Sequence, residues 1–180
     1  HLELSRSIAR RFNQRFDTEF FPEPKALFTQ TPRIMSLAQP ESKMSKSAGL
    51  KHYIGLFEEE ASIRKKVKTA VTDTGELEEG RYMSPGVQNL FEILWACQAN
   101  AVADQLESDY KAGQLKYSEL KGGVAEALVE LTGRFRARRE ALVADADAVD
   151  KQVRAMSAKA RDIAADTLRG VRKFAGFPPM

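Results

Sequence analysis

Lys43-Met44-Ser45-Lys46-Ser47, followed by Ala48-Gly49, is the stretch around which the rest of the chain is read. Two lysines stand three positions apart, interleaved with serine hydroxyls, and a glycine follows. Lysine carries a compact charge on a flexible stem, and hydroxyls and backbone N–H groups add hydrogen bonds to phosphate oxygens. The natural ligand of such a mobile cationic clamp is a polyphosphate. The same residues also read as a solvated basic loop, the bland outcome for any short motif. The stretch divides the chain: short apolar pieces and prolines lie upstream, and from about residue 50 the pattern is almost entirely helical.

Working outward toward the first residue, Ile34-Met35 inside residues 33–37 is a short extended piece, and Thr31-Pro32 is a turn. Residues 25–29 have an apolar centre and read as a strand. Two prolines in Phe21-Pro22-Glu23-Pro24 end the helix before them. That helix carries Leu4, Ile8, Phe12 and Phe16 at every fourth position, with Arg6, Arg10, Arg11 and Arg15 between them. The arginines read as a solvated face, or as a contact for a second subunit or RNA. The chain opens with His1 inside this helical pattern, so an incomplete polypeptide is expected.

Toward the other end, residues 58–70 form a helix with Ile63, Val67 and Ala70 on one side. Residues 72–75 read as a turn and 76–82 as a polar loop. Asp73 is either a ligand-binding carboxylate or a self-satisfied turn residue. Ser84-Pro85 starts the next helix, with Ser84 as N-cap, and that helix carries Val87, Leu90, Phe91, Leu94 and Trp95. A helix over 103–111 ends at Gly113. Ser118 caps a long helix with Leu120, Val124, Leu128, Leu131, Phe135 and Leu142 inward, and Asp145-Ala146-Asp147 breaks it. The last helix carries Val149, Val153, Met156, Ala160, Ile163, Val171 and Phe174, and stops at Gly176-Phe177-Pro178-Pro179. Spacings alternating between three and four predict that the two long helices pack along their length.

The 180 residues are 43% hydrophobic and 29% charged, an ordinary profile for one large or two small domains. The net charge of +3 is compatible with RNA binding. No apolar run approaches the roughly 20 residues of a membrane span, and no signal-peptide pattern stands at the start. One cysteine, Cys97 in an apolar run, excludes an internal disulfide and a cysteine-based zinc site. His1 and His52 form neither a triad nor a metal pattern, and no protein metal site is expected.

Residues 33–47, RIMSLAQPESKMSKS, resemble the tryptophanyl-tRNA synthetase family of class I aminoacyl-tRNA synthetases, whose second signature is KMSKS. The resemblance extends to His1-Leu2-Glu3-Leu4, Ala70-Val71-Thr72-Asp73-Thr74-Gly75 and Pro85-Gly86-Val87-Gln88-Asn89-Leu90. It also takes in Tyr117-Ser118-Glu119-Leu120-Lys121 and Val124-Ala125-Glu126. It implies a mainly α chain: the end of a Rossmann-type α/β nucleotide-binding domain over 1–50, then a helical anticodon-binding domain over 51–180, its last helix returning to the catalytic domain. The implied reaction activates tryptophan with ATP to tryptophanyl-adenylate and pyrophosphate, then transfers it to tRNA(Trp).

Carried over residue by residue, Lys43 and Lys46 would contact the ATP phosphates and act as the catalytic cations, with Ser45 and Ser47 as hydrogen-bond donors. Ile34 and Met44 would border the adenine through their backbones, though both also read as plain core residues. Mg²⁺ accompanies ATP, and a cytoplasmic homodimer without membrane attachment is implied. Arg134, Arg136, Arg138, Arg139, Lys151 and Arg154 are candidates for the tRNA backbone. The family's His-x-Gly-His motif is absent, and its indole pocket lies upstream of this sequence, so adenylation requires a further N-terminal half. The rival reading is a helical RNA- or protein-binding module, or a weakly active paralogue, that retains the loop.

Overall fold

The computed structural model describes residues 1–73 and 80–178. The described chain is mainly α-helical and contains no strand, only one isolated antiparallel bridge between Met35 and Lys43. It forms two compact units: His1–Leu27 with Leu142–Met180, and Phe28–Ala141.

In the first unit, α1 (Leu2–Phe16) ends at Asp17, whose left-handed backbone (φ 48°) turns the chain. The side chain of Asn13 then ties the turn: its Nδ2 donates to the Phe21 carbonyl at 2.8 Å and its Oδ1 accepts from Phe21 N–H at 3.1 Å. Phe12, Phe16, Phe20 and Phe21 gather there and receive Phe174 from α6 (Ala146–Phe174), with ring centroids 4.8 to 6.2 Å apart. Such pairs stabilise beyond the area they bury. α6 starts where the sequence break lies: Asp145 is its N-cap, accepting from Ala148 N–H at 3.0 Å. Its end at Phe174 is followed by Gly176 at φ 72°, as a terminating glycine requires.

The two long helices expected to pack as a pair therefore fall in different units. α6 groups with α1, buries none of its own residues, and leaves Val153, Met156 and Ile163 exposed. A three-four stripe identifies an apolar face but not the surface it meets.

The second unit is built on α3 (Pro85–Ala96). Val87, Leu90, Phe91 and Leu94 of this helix are fully buried. Around it pack Ile63 and Val67 of α2 (Glu60–Lys68), Ala103 and Leu106 of α4 (Asn100–Lys111), and Leu120, Val124 and Leu128 of α5 (Tyr117–Val143). Burial of each large apolar side chain contributes about 1.5–3 kcal/mol. The expected caps are used differently. Ser84 makes no capping bond; its hydroxyl donates to the Thr72 carbonyl at 2.9 Å. α5 begins at Tyr117, so Ser118 lies inside its first turn. The strand expected over 25–29 is absent: these residues take no strand conformation, and Leu27 and Phe28 are exposed. A strand needs a neighbour for its backbone groups, and propensity alone supplies none. The turn expected at Thr74-Gly75, most of the loop 76–82 and Pro179 lie outside the described residues.

One ion pair in this unit reports on pH. Burial pushes the Glu58 carboxyl up, but Lys66 Nζ at 2.6 Å, the Ser62 hydroxyl and Gly55 N–H at 2.8 Å outweigh it, so its pKa is lowered. A lowered folded-state pKa gives stability that is present above the unfolded value of about 4.3 and lost as pH falls through the folded one. Glu58→Gln is expected to destabilise by about 1–2 kcal/mol at pH 7. By urea unfolding the gap to wild type should narrow at pH 3; a gap independent of pH would refute the assignment.

Candidate functional site

The loop of interest hangs from a short two-sided ladder. Ser36 N–H donates to the Ser42 carbonyl at 2.8 Å and Met44 N–H to the Ile34 carbonyl at 3.0 Å, so Met35 and Lys43 face each other between them. The segment expected to be extended at 33–37 is extended only at this bridge. Ser36, 1% exposed, closes the turn beyond it: its Oγ accepts from Ala38 and Gln39 N–H and lies 2.9 Å from His52 Nδ1. Leu37 is held from the other side, its N–H donating to the His52 carbonyl and its carbonyl accepting from Val71 N–H at 2.8 Å.

On this frame the six sequence-derived residues separate by exposure. Lys43, Lys46 and Ser47 are exposed; Ile34, Met44 and Ser45 are half-buried. Lys46 opens a single 3-10 turn, Lys46–Ala48, closed by Gly49 N–H on the Lys46 carbonyl at 3.2 Å. Gly49 adopts φ 109°, a conformation side chains rarely take, so the glycine is needed there. Ser45 and Ser47 Oγ atoms lie 2.8 Å apart. The bridge brings Ile34 and Met44 together, and both line an apolar cavity of about 200 Å³ with Ile54, Ile93, Cys97 and Leu128. Burial pushes the Cys97 thiol up to about 11, so it stays protonated and unreactive at neutral pH. A second cavity of about 420 Å³, lined by Arg33, Met35, Glu41, Gln88, Asn89 and Trp95, lies beside Met35. No group of three or more His, Cys, Asp or Glu among the described residues is placed to hold a metal ion.

Much of the basic surface is already engaged. Arg10 and Arg6 meet Glu23, Arg134 meets Glu130, and Arg154 meets Asp150 at 2.6 Å. Arg136 donates to the Glu58 carbonyl, and Arg139 lies over the Phe57 ring at 5.0 Å. Asp73 accepts from the Tyr117 hydroxyl at 3.2 Å. The residue that periodicity misses is Asn89. It is 2% exposed and bonded through its side-chain amide to Met35 and Ser36. A polar residue among the buried positions of an otherwise apolar helix is the signal that marks it.

The family model described as tRNA synthetases class I (W and Y) matches residues 1–133. The chain belongs to this family of class I tRNA synthetases. A tryptophan–tRNA ligase of Leifsonia xyli is 37% identical over 179 residues, which are 98% of this chain and 52% of that protein. The mitochondrial tryptophan–tRNA ligase of Saccharomyces cerevisiae is 32% identical, over 98% of this chain and 47% of the yeast protein. A crystal structure of tryptophanyl-tRNA synthetase from Mycoplasma pneumoniae superposes with a TM-score of 0.84 at 28% identity, covering 99% of this chain and 53% of that one. This class I synthetase chain thus spans about half the length of the curated relatives it matches.

Proposed function

We propose that the chain is the C-terminal portion of an ATP-dependent tryptophan–tRNA ligase. The observation that carries the proposal is the loop: an intact Lys43–Ser47 signature whose two lysines are exposed while its backbone is pinned at Met35. In the first step a carboxylate oxygen of tryptophan attacks the α-phosphorus of ATP, the bond to the bridging oxygen breaks, and pyrophosphate leaves. Negative charge grows on the departing oxygens. Lys46 and Lys43 meet that charge, which is stabilisation directed at the transition state. Ser45 and Ser47 donate hydrogen bonds to the same phosphates, and the backbones at Ile34 and Met44 border the adenine. A terminal ribose hydroxyl of tRNA(Trp) then attacks the adenylate carbonyl and AMP leaves. Mg²⁺ arrives with the ATP phosphates, as it commonly does at nucleotide sites, and the residues of the loop suit a polyphosphate rather than a metal ion of their own.

Residues 1–50 belong, in this proposal, to the Rossmann-type catalytic domain and 51–180 to the anticodon-binding domain. The grouping of α6 with α1 supports a last helix that returns to the catalytic side. Arg138 and Lys151 carry no ion-pair partner among the described residues and are the simplest tRNA-backbone ligands of the six candidates. The working form is a homodimer in the cytoplasm. No helix among the described residues is long and apolar enough to cross a membrane.

The test is tryptophan-dependent exchange of pyrophosphate into ATP by the whole gene product that carries this chain, with tyrosine as control. Exchange with tryptophan alone is expected. Its absence would overturn the ligase proposal and favour a helical binding module that retains the loop.

A further inference from the structure

Met35 and Lys43 form the non-hydrogen-bonded kind of antiparallel pair: the flanking bonds run from Ser36 to Ser42 and from Met44 to Ile34. In such a pair the N–H and C=O of the central residue point away from the partner strand. Both outward groups of Met35 need other partners, and α3 supplies them. Asn89 Oδ1 accepts from Met35 N–H at 2.8 Å, and Asn89 Nδ2 donates to the Met35 carbonyl at 3.0 Å and to that of Ser36 at 3.4 Å. One planar amide thereby takes the place of a third strand. Only one orientation of the amide satisfies both groups, and only Asn or Gln carries an N–H donor and a carbonyl acceptor side by side on one planar group. Asn89 is 2% exposed and its helix is the centre of the core, so the amide has no freedom to follow the loop.

We propose that Asn89 is a positioning residue for the nucleotide step: by holding both backbone groups of Met35 it sets the height of the bridge from which Lys43 and Lys46 reach the phosphates. The inference rests on the proposed ligase reading. It assigns Asn89 no contact with ATP. The amide acts through Met35. Asp at this position keeps the shape and the acceptor but sets a carboxylate against the Met35 carbonyl. Ala leaves both groups of Met35 without their partner.

The experiment uses the whole gene product with Asn89→Asp, Asn89→Ala, Lys46→Ala, the Asn89→Ala/Lys46→Ala double variant and Gln88→Ala, which lies on the exposed side of α3. Folded fractions are equalised by thermal unfolding and circular dichroism. Asn89→Asp and Asn89→Ala are expected to lower kcat for exchange by about a hundredfold, the usual effect of misplacing a reacting group by about 1 Å. KM for tryptophan should stay unchanged, and Gln88→Ala should behave as wild type. The double variant is expected to fall short of the product of the single effects, because both changes act on the same lysine. A folded Asn89→Asp that exchanges at the wild-type rate, or a double variant equal to that product, would overturn the proposal. Hydrogen exchange at the Met35 and Met44 amides separates this inference from the ligase reading. Protection lost in both Asn89 variants but not in Gln88→Ala supports the positioning role even in a protein without exchange activity; unchanged protection refutes it.

Discussion

Replacing Lys46 with alanine is expected to slow tryptophan-dependent pyrophosphate exchange by about 10²–10³-fold, the loss of about 3–4 kcal/mol seen when one preorganised charge or donor is removed from a developing anion. The ground state does not need this lysine. Its side chain is exposed at the first position of the Lys46–Ala48 turn, and among the described residues no hydrogen bond or ion pair holds that side chain. The folded protein should therefore lose less than about 0.5 kcal/mol. An interaction made only as pyrophosphate departs lowers kcat and kcat/KM together, whereas a lysine that merely binds ATP raises KM and leaves kcat alone. Lys43→Ala tests the same idea on the second cation, since the bonds of the bridge run through the backbone of Ser36, Ser42, Ile34 and Met44 and none uses the Lys43 side chain. Initial rates over a range of ATP concentrations, with unfolding measured in parallel, decide the matter. Wild-type kcat in Lys46→Ala would remove Lys46 from the chemistry.

Some of this molecule is legible in its sequence for definite physical reasons. α1 follows from an apolar residue at every fourth position and from the two prolines after it, and α6 follows from the break at Asp145-Ala146-Asp147 and from Gly176 as a stop. The loop is proposed as a phosphate site because lysines and hydroxyls at that spacing suit one class of ligand. The parts that are not legible depend on distant partners. Residues 25–29 have the composition of a strand, yet they span the boundary between the two units and no described segment forms a ladder with them. Ser84 has the position of a helix cap but donates to Thr72, twelve residues back, because that carbonyl lies within reach only after α3 has docked. Met35 and Asn89 are 54 positions apart, and no periodicity connects them. Local pattern thus locates most of the helices. It says little about the backbone contacts that give the loop its height, because these form between segments that meet only in the folded unit.

Gly86→Ala is expected to be the most damaging small substitution in the second unit. A Cβ at Gly86 would stand 2.3 Å from the Thr72 carbonyl oxygen and 2.4 Å from that of Val71, distances that side-chain rotation cannot relieve because both obstacles are backbone. Either the first turn of α3 moves outward or residues 71–72 give way. Moving α3 uncovers Val87 and Leu90, which are fully buried, and shifts Asn89 one turn along. Moving Val71 strains its 2.8 Å bond to the Leu37 carbonyl and so disturbs the Ser36–His52 closure next to it. Overpacking of a close-packed site typically destabilises by 1–3 kcal/mol, and a clash with two carbonyls belongs at the upper end, about 3 kcal/mol. That corresponds to a fall of roughly 10 °C in Tm. Gly122 supplies the contrast. It sits exposed within α5 with nothing within 4 Å of a Cβ. Gly122→Ala should stabilise by up to about 1 kcal/mol through helix propensity alone. Thermal unfolding of the two alanine variants against wild type should move Tm in opposite directions. A Gly86→Ala protein that melts with wild type would mean that α3 and residues 71–72 do not meet this closely, and the path by which α3 holds the loop would lose one of its two supports.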